Sequence, residues 1–201
     1  MHEIDFYLDF ASPYAWLAFE RLPLALIGHS YRVRYRPVVS AALIESQGQP
    51  VPMQAGPRQD WLRRHVSWLA RAQEVDLQWP KGHPFDSRDL LRLALACADE
   101  EGLPNRYVTE TIFRHVWQGG GDAVDPDRWQ ELARLLAPRR DPASEEVERC
   151  LRAHAEAASA AGVFDVPSMR VDGVLFWGLD ALPMLRTCLD GDSSPVAPDA
   201  G

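Results

Sequence analysis

The chain has 201 residues, 46% hydrophobic and 25% charged, which suits one globular unit with a sizeable core and excludes disordered, fibrous and disulfide-scaffold proteins. Lys and Arg number 21 against 29 Asp and Glu; the formal charge of -8 disfavours the phosphate attraction behind most nucleic-acid binding, and a small molecule or another protein is the expected partner. The 3 cysteines, Cys97, Cys150 and Cys188, stand far apart in no ligand spacing, against a disulfide framework or metal site and for a reducing compartment.

The first residues, Met1-His2-Glu3-Ile4-Asp5, carry acids where a signal peptide has a basic region and an apolar run, so a cytoplasmic protein is expected. No uncharged apolar stretch approaches the roughly 18 residues of a spanning helix, and no membrane segment is expected. Ile4 to Phe10 is rich in aromatic and branched residues and reads as a strand. Ser12-Pro13 then supplies an N-cap and a first helical residue, which predicts a helix over Tyr14–Ile27 closed by Gly28. Tyr31 to Val38 alternates ring or branched residues with arginines and reads as a second strand, parallel to the first through the helical crossover.

From Ser46 to Pro57 the glycines and prolines predict a loop. Apolar residues at helical spacing then mark helices around Trp61–Ala72, Leu91–Ala98, Val108–Val116 and Trp129–Leu136, the last opened by Asp125-Pro126. Trp61, Trp68, Trp117 and Trp129 are expected in the helical core, and Arg63-Arg64 and Arg139-Arg140 on solvated faces. A further helix runs from about Ala143 to Ala161, followed by two short strands around Asp172-Gly173, a hairpin signal, and a last helix through Leu182, Leu185 and Leu189. This order predicts an α/β chain of thioredoxin-like fold, a four-stranded mixed sheet with an inserted all-helical subdomain. Residues 1–45 and 143–190 form the thioredoxin-like domain, 46–142 the insertion, and 191–201 a disordered tail.

Ser12 is the first residue to carry chemistry. At a strand-to-helix corner its hydroxyl lies among unpaired backbone N–H groups at the positive end of a helix dipole, where an anion is stabilised. The tetrad Ser12-Pro13-Tyr14-Ala15 has no sulfur for disulfide exchange, but its hydroxyl can donate to a thiolate; as a plain cap it contributes about 1 kcal/mol. Val166-Pro167 opens a strand after a helix, and a cis bond there would turn a backbone edge toward a pocket beside the first helix. His65, His83, His115 and His154 are scattered without metal spacing.

The Ser-Pro-Tyr corner, the arginine-rich second strand closing on Pro37, the turn Gly162-Val163-Phe164-Asp165-Val166-Pro167-Ser168 and the hairpin ending Phe176-Trp177-Gly178-Leu179-Asp180 together resemble the 2-hydroxychromene-2-carboxylate isomerases. These lie in the kappa-class glutathione transferase branch of the DsbA-like thioredoxin superfamily, and the likeness runs from residue 3 to about 189. It implies a homodimer with glutathione between the two domains, and an aromatic-derived 2-oxo acid isomerised by thiolate addition, bond rotation and elimination. Ser12 would contact the glutathione sulfur, the Val166 backbone before Pro167 the cysteinyl part, and Trp177, Gly178, Leu179 and Asp180 the rest of the cofactor, with its γ-glutamyl end at residues 178–180. Tyr14, Pro37, Phe85 and Asp86 would line the substrate pocket. The chain departs from the family pattern at Glu45, Asp86, His154, Ala155 and Ala181, which removes positive charge and neutral donors. The alternatives are a kappa-like glutathione transferase, or a thioredoxin-like small-molecule-binding protein that has lost the glutathione site.

Overall fold

A computed structural model of the chain describes residues 1–48 and 56–191. Most of the predicted loop before Pro57 and all of the predicted tail after Gly191 lie outside the described residues. Strand β1 (His2–Leu8) pairs in parallel with β2 (Tyr31–Pro37), setting Phe6 beside Tyr35 and Asp5 beside Arg34. Between them runs α1 (Pro13–Ala25), ending two residues earlier than predicted, with Pro23 inside its last turn, and Gly28 takes the left-handed turn (φ 97°) into β2. Strand β3 (Ser168–Val171) is antiparallel to β1, and β4 (Val174–Trp177) to β3, giving the order β2-β1-β3-β4.

After β2 comes a short helix, α2 (Ser40–Ser46), in a stretch for which no element is predicted. Helices α3 (Pro57–Ala72), α4 (Arg88–Ala96), α5 (Arg106–Trp117) and α6 (Pro126–Leu136) follow, then α7 (Glu145–Ala160) and, beyond β4 and a 3₁₀ turn at Leu179–Ala181, α8 (Leu182–Leu189). Asp125 caps α6 as predicted, accepting from the Asp127 and Arg128 amides, and Ser144 caps α7, accepting from the Val147 amide.

The inserted helices and the sheet share one core. Phe113 of α5 packs its ring 4.9 Å from Phe10, 5.8 Å from Trp16 and 5.3 Å from Phe19. The two buried indoles are also tied polar end to backbone: Trp117 Nε1 donates to Phe10 O (3.0 Å) and Trp16 Nε1 to Asp76 O (3.1 Å), so neither N–H is orphaned. Two tryptophans correct the sequence reading, since Trp61 and Trp68 of α3 are 54% and 58% exposed and not core residues. Their face of α3 looks away from the core, which Val66 and Ala70 enter instead. Arg63, expected on a solvated face, lies 4.7 Å over the Trp79 ring and donates to His83 O.

Candidate active site

The corner between β1 and α1 opens onto a cleft of about 1230 Å³ between the sheet-bearing part and α3. Ser12 is the N-cap of α1, its Oγ accepting from the Ala15 amide at 3.3 Å, and it lines this cleft. The hydroxyl hydrogen is not used by that cap bond, so it can point to a ligand. Across from it the strand-entry edge Asp165-Val166-Pro167 also lines the cleft, and the Val166-Pro167 bond is cis as expected. The Val166 amide is committed, donating to Asp165 Oδ1 at 2.8 Å.

Trp177, Gly178, Leu179 and Asp180 reach the same cleft from the end of β4. Gly178 donates its amide to Pro167 O (2.9 Å), which locks the β4 exit onto the proline edge. It holds φ at 93°, and an added Cβ would sit 2.6 Å from Asp180 Oδ1, so glycine is required for Asp180 to fold back there. Tyr14, Phe85 and Asp86 line the cleft as well.

Pro37 does not. It is buried at the end of β2, paired with Leu8, and belongs to the sheet rather than the cleft lining. The departure residues are likewise dispersed. Glu45 faces outward on α2, Ala181 is 5% exposed in the core, and His154 and Ala155 sit on α7. Only Asp86 among them lines the cleft, where it pairs with Arg88 at 3.0 Å.

Several site groups were missed in the sequence. Asp9 is 2% exposed, yet its carboxylate meets four donors: the Ala11 amide (3.0 Å), the Ser87 hydroxyl (2.5 Å), and the Ser40 amide (2.9 Å) and hydroxyl (2.8 Å). It thereby gathers the entries to α1, α2 and α4 at the cleft floor, with hydrogen bonds in place of a counter-charge. His83 lines the cleft with Nε2 against Ala11 O (3.0 Å); burial pushes its imidazole below the usual range, leaving it neutral near pH 7. Burial pushes the Asp165 carboxyl up, against the Val166 amide and the Arg58 charge that favour its anion. Arg58, near the start of α3, has no ion-pair or hydrogen-bond partner among the described residues and lines the cleft mouth. Tyr14 bonds His65 across to α3 at 2.8 Å. Tyr14 is already expected in the pocket from the sequence, but nothing local marks Asp9, Arg58 or the pairing of Tyr14 with His65, because these neighbours come from distant elements. None of the three cysteines lines the cleft, and burial pushes the Cys97 thiol up to about 11, far from a reactive thiolate.

A parallel strand-helix-strand start, an antiparallel hairpin finish and a helix capped by Ser12 at the first strand-to-helix corner define a thioredoxin-like protein. The DSBA-like thioredoxin domain model matches residues 3–190, and the chain belongs to that family. A 2-hydroxychromene-2-carboxylate isomerase from Sphingobium xenophagum is 28% identical over 92% of this chain and 97% of its own length. Another from Pseudomonas sp. (strain C18) is 26% identical over 94% and 90%. Among solved structures, a 2-hydroxychromene-2-carboxylate isomerase superposes with a TM-score of 0.79 at 22% identity, covering 94% of this chain and 95% of that one. A probable DsbA oxidoreductase from Streptomyces coelicolor gives 0.61 at 18%, covering 98% and 94%.

Proposed function

We propose that this protein is a glutathione-dependent isomerase of the 2-hydroxychromene-2-carboxylate type, acting on an aromatic-derived 2-oxo acid. The observation that carries the reading is Ser12: a hydroxyl with its hydrogen to spare, at the N-terminus of α1, on the wall of a large cleft. The names of the relatives support the reaction class. The donor set fits a zwitterionic peptide thiol. Ser12 would hold the sulfur, the Val166-Pro167 edge the peptide, and Asp180 the amino group.

Glutathione, when bound, supplies the thiolate that adds reversibly to a conjugated double bond and frees it to rotate. Ser12 and the helix end lower the cost of holding sulfur as an anion, because donors and dipole already point at it. Arg58, uncommitted at the cleft mouth, meets the substrate carboxylate. Leu62, Leu69 and Phe85 give the aromatic ring a dry wall and keep water from the reacting carbons.

One observation favours the rival reading of a thioredoxin-like binding protein: the Val166 amide already donates to Asp165, so a peptide ligand meets the carbonyl or displaces that carboxylate. Calorimetric titration with glutathione separates the two. Heat of binding, with the ultraviolet absorbance of the bound thiol appearing at lower pH in the parent than in Ser12→Ala, is expected. A folded parent that gives no heat with glutathione refutes the thiol-dependent reading and leaves the binding protein.

A further inference from the structure

We propose that Tyr14 is the hydrogen-bond donor that recognises the ketone oxygen of the 2-oxo acid, with His65 as its positioning residue. The substrate class is taken from the isomerase reading above, and the rest stands on geometry. Tyr14 lies in the first turn of α1, close behind Ser12, and both line the cleft. Its phenol leaves the sheet-bearing part and meets α3, where Oη and His65 Nδ1 are 2.8 Å apart. The imidazole is fixed from its own helix, stacked 4.5 Å from the Trp61 ring at 23° and 6.3 Å from Trp68 at 15°.

This role requires the His65 tautomer that carries its hydrogen on Nδ1. With hydrogen on Nδ1, His65 donates to a lone pair of the phenol oxygen, and the Tyr14 hydrogen is left for the cleft. Apart from Ser12 and Arg58, the hydroxyl and imidazole donors on the same wall are engaged inside the protein, and the arginines are tethered, each through a hydrogen bond that holds its head group back from a free swing into the cleft. The Ser40 and Ser87 hydroxyls bond Asp9, His83 Nε2 faces Ala11 O, and Arg21, Arg88 and Arg186 bond Gln73 O, Asp86 and Ala25 O. Ser12 is needed at the sulfur and Arg58 at the carboxylate, so the ketone oxygen, where negative charge develops when a nucleophile adds to the conjugated system, falls to Tyr14. Burial, and then the Asp180 charge, push the Tyr14 phenol up, so it remains a neutral donor across the physiological range. The hydrogen bond strengthens as the oxygen gains charge, which is how a donor of this kind accelerates a reaction.

The test compares binding of benzylidenepyruvate with binding of the analogue in which CH₂ replaces the ketone, each by calorimetry without thiol. The parent should prefer the ketone, and Tyr14→Phe should weaken ketone binding about tenfold while leaving the analogue unchanged, as for one lost hydrogen bond. His65→Ala should lose the same preference, and His65→Asn, which keeps an N–H where Nδ1 stood, should restore most of it. In turnover with glutathione, Tyr14→Phe should lower kcat roughly 10²-fold with a smaller change in KM. Equal effects on both ligands, or none, in a variant with parental melting would overturn the assignment. Ketone-selective binding lost in Tyr14→Phe, with no isomerisation by the parent, would uphold the assignment and overturn the isomerase reading.

Discussion

Asp9 shows how one buried side chain places a cleft. Its two oxygens take donors from three segments, Ala11, Ser40 and Ser87, and it is 2% exposed. Removing the carboxylate strands those donors, so Asp9→Ala should lose about 3 kcal/mol of unfolding free energy in a urea titration. Asp9→Asn should lose less, because an amide oxygen still accepts. Arg58 is the opposite case, a charge held by no hydrogen bond or ion pair among the described residues, though its field reaches the Asp165 carboxyl. Arg58→Ala should therefore raise KM for the 2-oxo acid several-fold while leaving stability within about 0.5 kcal/mol. Ser12 was legible in the sequence because a strand, a Ser-Pro pair and a helix are consecutive. Asp9 and His65 were not, since their partners lie at residues 87 and 14 and only the folded chain brings them near.

At the scale of elements, the β1–β2 pair carries its own electrostatic staple. Arg34 reaches Asp5 with Nε at 2.8 Å, and Arg36 does so at 2.6 Å. Burial alone would raise the Asp5 carboxyl, but the two guanidiniums outweigh it and hold it below its ordinary value of 3.8. A carboxyl lowered on folding stabilises the native state above its unfolded pKa, and that contribution is lost as pH falls through the folded value. Asp5→Asn should thus cost stability by a constant amount at neutral pH, and the gap to the parent should close on acidification below about pH 4, followed by circular dichroism. A gap independent of pH down to acid unfolding would remove the staple. The alternation of Tyr31 to Val38 made β2 readable and let its arginines be seen, though not that they converge on one aspartate of β1. At the other end of the sheet, Gly178→Ala should destabilise by at least about 1 kcal/mol, since its φ of 93° and the nearby Asp180 carboxylate both resist a side chain. Helix α2 had no readable signal, for it is short and lacks a side-chain cap, and its start is fixed by Asp9 bonding Ser40.

In the whole molecule, the helical insertion is an extension of the sheet's core. Phe113 and Trp117 from α5 pack on Phe10 and Trp16, and α4 lies against α7 and β2. The cleft is what remains open beside that shared core, with α1 contributing Ser12 and Tyr14, α3 contributing Arg58 and His65, and the hairpin contributing the proline edge. Periodicity sufficed to order these elements, because each covers its own stretch of chain. Which faces met was beyond it, as the exposed Trp61 and Trp68 show. The proposed chemistry needs a serine-held thiolate in that cleft. Its most direct measurement is the isomerisation rate of 2-hydroxychromene-2-carboxylate with and without glutathione, in the parent and in Ser12→Ala. Turnover that requires the thiol and falls roughly 10²-fold or more in the folded variant, whose cap loss costs only about 1 kcal/mol, is the result expected. Isomerisation that proceeds equally without thiol, or at the same rate in Ser12→Ala, would contradict it.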